Sequence, residues 1–191
     1  MSYSSFTNEK IKDKFGVEQT LRRGIFDNLP NRAASKWLLE TLSKTRDFAL
    51  SQGSEKARSE YIIAPVFYEL REQSEQRISI FSGRKFDIDK NQQLDGFCDF
   101  LVSRSPSQVI LESPVMVAVE TKQDKFEKRT TQCIAEMIAA QKFNETSGTP
   151  RQIIYQSHPL RGASQHYQCR RLDQQCPFRL DHPVQQHPRI V

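Results

Sequence analysis

Apolar positions along this chain fall into two rhythms, a continuous one and a helical one. Val115 to Val119, VMVAV, follows Pro114 without a polar interruption and runs into Glu120, Thr121 and Lys122. A valine-rich run of that length predicts a strand covered on both faces. Gly96 to Ser103 predicts a second strand, with Asp99 set between Cys98 and Phe100. The RSPSQ at 104–108 carries turn residues, so the two strands can pair as antiparallel neighbours. Shorter strand candidates lie at 77–82 and 85–88, joined by a Ser82–Gly83 turn, and at Arg151 to Tyr155.

Helical spacing marks three other stretches. Trp37, Leu38, Leu42 and Phe48 or Ala49 predict a helix over 33–51, in which Trp37 reads as a core or packing residue. A second helix begins behind an N-cap at Ser54 and reaches about Gln73, with Pro65 kinking or breaking it and Ile63, Phe67 and Leu70 as its buried stripe. Glu60 lies at the edge of that stripe; Glu69, nine residues on, points to the opposite side. A third helix covers 130–144, where Ile134, Met137, Ile138 and Gln141 share a stripe. Asn8 to Asn31 reads as short helical or irregular pieces broken by Gly16, Gly24 and Pro30.

The end of the VMVAV strand carries the chemistry. Side chains alternate along a strand, so Glu120 and Lys122 leave one face and Thr121 the other. Antiparallel pairing brings Asp99 within metal-sharing distance of Glu120. Two carboxylates on neighbouring strands suit a hard cation such as Mg²⁺, which takes oxygen ligands. A lysine beside them can hold or deprotonate a water, or steady charge on a phosphate.

The pattern of Asp99 followed by Glu120-Thr121-Lys122 resembles the PD-(D/E)XK nuclease superfamily. SEYIIAPVFYELR at 59–71, GFCDFLVS at 96–103, VAVETK at 117–122 and QCIAEMIAAQKFNE at 132–145 are similar to cyanobacterial members of it. The resemblance spans roughly Ala57 to Tyr155. It implies an α/β (α+β) fold with the restriction endonuclease-like αβββαβ core, a mixed sheet flanked by helices. It also implies a metal site of Asp99, Glu120 and the carbonyl of Thr121 holding Mg²⁺ or Mn²⁺, with Lys122 catalytic. Glu60 and Gln132 enter as accessory groups from the two helices, and DNA as the partner; a homodimer is compatible with it.

Composition adds bounds. The chain of 191 residues suits one substantial domain, divided as an N-terminal helical extension 1–53, a nuclease-like core 54–155 and an atypical tail 156–191. No run approaches a membrane span, the N-terminus lacks the apolar stretch of a signal peptide, and Cys98 and Cys133 fall in core elements. These features point to the cytoplasm. The net charge of +5 is uneven: residues 1–155 carry 23 Lys+Arg against 21 Asp+Glu, so bulk charge argues little for DNA. Lys125, Lys128 and Arg129 form the one basic edge suited to phosphate contact.

The tail holds all four histidines, seven glutamines and no lysine or glutamate, a break that predicts mostly disordered chain of foreign or frameshifted origin. Its Cys169 and Cys176 lack the short spacing of a zinc site. The expectation is therefore a metal-dependent endonuclease that hydrolyses DNA phosphodiesters. The alternative is a catalytically inactive nucleic-acid-binding or protein-interaction module on the same fold.

Overall fold

A computed structural model of the protein describes residues 3–21, 32–119, 126–151, 153–160, 163–172 and 176–182, with backbone course alone for 18–21, 126–129 and everything after 152. A short 3-10 turn, Tyr3–Ser5, leads into α1 (Asn8–Phe15) and β1 (Val17–Leu21). Then come α2 (Lys36–Gln52), α3 (Glu55–Arg58), a π-helical turn (Ser59–Ile63) and α4 (Ala64–Gln73). The strands β2 (Ser79–Lys85), β3 (Phe97–Ser103) and β4 (Val115–Val119) precede α5 (Phe126–Thr146). The chain continues as β5 (Ile153–Leu160), β6 (Ala163–Leu172) and β7 (Cys176–His182).

The fold mixes helices with a sheet whose strand order is β1-β7-β6-β5-β4-β3-β2. β2, β3 and β4 run antiparallel in sequence, and β5 returns parallel to β4 after the α5 crossover. From α3 to β5 the elements thus follow the expected order of helix, three antiparallel strands, helix, strand. The described residues between 156 and 182 complete β5 and give the backbones of β6 and β7; β6 pairs antiparallel with β5 and with β7, and β7 pairs parallel with β1.

α5 organises the interior. Every residue from Thr130 to Gln141 is buried, so no face of this stretch meets solvent. One side rests on β4 and β5; the Tyr3–Ser5 turn and α1 close the other. Burial all round is the mark of a core helix. Tyr3, Phe6, Ile11 and Phe15 therefore belong to the same hydrophobic cluster as Leu101, Ala118, Ile134 and Met137. The Tyr3 hydroxyl donates to the Phe86 carbonyl at 2.5 Å, and burial pushes its pKa far up. Its ring lies against Gly96, whose φ of 146° leaves no room for a side chain.

Local chemistry explains the helix ends. Thr7, Ser35 and Ser54 each accept a backbone N–H from three residues on, and Gly16 and Gly53 close α1 and α2 in the left-handed region. Pro65 enters the first turn of α4, just after the π-helical turn in which the Ala64 N–H reaches the Ser59 carbonyl. The widened turn carries the chain past the missing proline N–H without ending the helix. Where two short strands and a Ser82–Gly83 turn are expected, a single strand β2 runs through Gly83. Trp37 does not enter the core: it is 46% exposed and tilts against Tyr68, and Leu70 is exposed too.

Candidate functional site

β3 and β4 are matched so that Phe100 faces Val119 and Leu101 faces Ala118. Asp99 precedes Phe100 within β3, and in the sequence Glu120 follows Val119, the last residue of β4. Asp99 is half-buried. Glu120, Thr121 and Lys122 lie outside the described residues, as does Lys125, and the side chains of Lys128 and Arg129 are likewise outside them.

Asp99 occupies a bend. In the β2–β3 register Ser82 faces Phe100 and Arg84 faces Cys98, so Gly83 and Asp99 fall opposite one another. Gly83 has φ of 59°, in the left-handed region. Strict alternation would send Cys98 and Leu101, three residues apart, to opposite faces of the sheet. Both nevertheless belong to the α5 core. The alternation of β3 is therefore broken between Cys98 and Leu101, opposite Gly83, and a glycine inside a strand commonly marks such a bend. On the other face Phe100 meets Phe67 of α4, with ring centroids 4.9 Å apart.

The two accessory residues make contacts of their own. Glu60, expected to turn inward, is exposed, and its carboxylate meets the Lys56 ammonium at 2.8 Å. The physical reason is the π-helical turn between Glu60 and Phe67, which widens the repeat and moves Glu60 off the stripe that a regular helix would assign it. Gln132 is neither a cap nor exposed. It stands six residues into α5, buried, and its amide donates to the Glu136 carboxylate at 3.0 Å.

Glu136 is itself a residue that helical periodicity misses. It is wholly buried within CIAEMIAA, and the signal was an acid inside a run of small and apolar residues. Glu69 is a second case. Its carboxylate accepts from the Ser35 hydroxyl at 2.7 Å and the Ser35 N–H at 2.8 Å, tying α4 to the start of α2. Those bonds, the hydroxyl's first, hold its pKa below the usual carboxylate range. The two acids serve different partners, Glu60 the Lys56 ammonium and Glu69 the start of α2.

α5 fixes β4 from within. The Asn144 side chain accepts from the Val115 N–H at 2.7 Å and donates to the Val115 carbonyl at 2.8 Å. At the same end of the helix, Lys142 pairs with Asp89 and holds that carboxyl below its ordinary pKa. Among the described residues no three His, Cys, Asp or Glu side chains gather into a group able to hold a metal, and no helix is long and apolar enough to cross a membrane. Cys98 and Cys133 are buried. No protein-family model, curated protein or solved structure matches the chain.

Proposed function

We propose that the protein is a metal-dependent endonuclease of the PD-(D/E)XK type, acting on DNA phosphodiesters in the cytoplasm. The observation that carries this reading is the Phe100–Val119 pair, whose two members face each other and have Asp99 and Glu120 as chain neighbours. The αβββαβ order of the surrounding elements supports it. The placement of Cys98 and Cys133 as buried core residues suits a reducing compartment.

The donor set of Asp99, Glu120 and the Thr121 carbonyl is oxygen only, which Mg²⁺ and Mn²⁺ prefer. Asp99 is its one member among the described residues, and its half-buried place at a bend suits a carboxylate shared with an ion. A cation held there supplies Lewis acidity toward a phosphodiester oxygen. Lys122 positions the attacking water and steadies negative charge as it develops on the phosphate.

The test is nicking of supercoiled plasmid by the full chain with Mg²⁺ and with EDTA. Mg²⁺-dependent nicking is expected, reduced at least about a hundredfold by Lys122→Ala or Asp99→Asn with the thermal midpoint kept. A folded parent protein that retards DNA but never cuts it would instead select the inactive binding module.

A further inference from the structure

Of the eleven large apolar side chains exposed among the described residues, eight lie between 37 and 70, on α2, the π-helical turn and α4. Trp37 and Phe48 of α2 are eleven residues apart, three turns that return to within about 20° of the same face and span about 16 Å. Each meets a tyrosine from the neighbouring elements. Trp37 and Tyr68 have ring centroids 5.3 Å apart, Phe48 and Tyr61 5.2 Å. As the numbering rises along α2 it falls along its neighbour, so the patch has two aromatic ends of like chemistry.

Charge decides what such a patch fits. Residues 36–73 carry six Lys+Arg and six Asp+Glu, and a polyanion would need an excess of the first. Exposed aromatics within a rim of mixed charge are the composition of a protein–protein contact. The midpoint of Trp37 and Phe48 falls between Leu42 and Ser43. Glu40 and Lys44 straddle it to within half a residue, beside the aromatic line. A two-fold axis there carries one aromatic end onto the other and sets each Glu40 against the second copy's Lys44. Within one chain Glu40 pairs instead with Lys36, at 3.6 Å between exposed side chains. That contact is weak enough to be exchanged.

We infer that this face is an isologous interface, on which a second copy of the chain docks α2 against α2 with the Trp37–Tyr68 pair of one copy over the Phe48–Tyr61 pair of the other. The inference stands apart from the nuclease reading, since none of these residues belongs to that site. A C2 contact demands a self-complementary patch, and this one is complementary in both its rings and its charges.

Sedimentation velocity of the full chain from about 1 to 100 µM tests it, that range spanning the affinities of moderate dimers. A dimer is expected, weakened about tenfold or more by Lys44→Glu and by Trp37→Ser, with circular dichroism unchanged. Glu40→Lys combined with Lys44→Glu restores the parent affinity. A monomer throughout overturns the inference. So does a dimer indifferent to Lys44→Glu, or one that the double reversal fails to restore.

Discussion

The Asn144 side chain satisfies both backbone groups of Val115, accepting its N–H and donating to its carbonyl, across 29 residues of sequence. The amide imitates a neighbouring strand at the residue where β4 begins, and β4 ends one residue before Glu120. Asn144→Ala leaves a buried donor and a buried acceptor without partners. The expected cost is about 2–4 kcal/mol of unfolding free energy, read as a lower urea midpoint at unchanged slope. A loss under about 0.5 kcal/mol would show that water takes over both bonds.

Glu69 makes the junction of α2 with α4 sensitive to acid. Its folded pKa lies below its unfolded value near 4.5, so its contribution is complete above that value and is lost as pH falls through the folded pKa. The gap in thermal midpoint between the parent and Glu69→Gln should be constant above about pH 6 and shrink below about pH 4.5. Ser35→Ala should shrink that gap as well, because its hydroxyl is the leading cause of the shift. A gap that widens on acidification would contradict the assignment.

Gly96 and Tyr3 are matched by exclusion. A methyl group on Gly96 would come within 2.8 Å of Cδ2 of the Tyr3 ring, at a φ of 146° that side chains rarely adopt. Gly96→Ala should therefore destabilise by about 1–3 kcal/mol. Adding Tyr3→Leu should recover only the steric part, since the backbone strain remains. Equal stability of Gly96→Ala and the parent would show that the ring is free to move aside.

Glu60 and Gln132 separate cleanly. Glu60→Gln removes half of an exposed ion pair, and both thermal midpoint and Mg²⁺-dependent nicking should stay at the parent values. Gln132→Ala takes a hydrogen bond from a wholly buried carboxylate, and an unfolding cost of about 1–3 kcal/mol is expected. Nicking lost by Gln132→Ala at unchanged stability would instead return Gln132 to the reacting centre.

Much of this was legible in the residues, and the exceptions share a cause. Ser54 caps its helix because its hydroxyl needs only a backbone three residues away. The stripe of Ile134, Met137 and Ile138 predicts α5 for the same local reason. Ser82–Gly83 reads as a turn between two strands because a left-handed glycine makes hairpin turns. Here the same dihedral bends one continuous strand, and only the pairing partner β3 reveals which. Trp37 carries every sign of a core residue, yet burial depends on what another element brings to it, and α4 brings the tilted ring of Tyr68, itself exposed. Glu60 was assigned by counting regular turns, and one wide turn spoils the count. Of the acids and lysine that suggested a nuclease, only Asp99 lies among the described residues.

The enclosure of α5 has a consequence for the order of assembly. Residues 3–17 are made before the helix of 126–146, whose surface they help to cover. Tyr3, Phe6 and Ile11 find their partners on that helix more than a hundred residues further along the chain. Their docking closes a long loop, the kind of contact whose entropy cost slows folding.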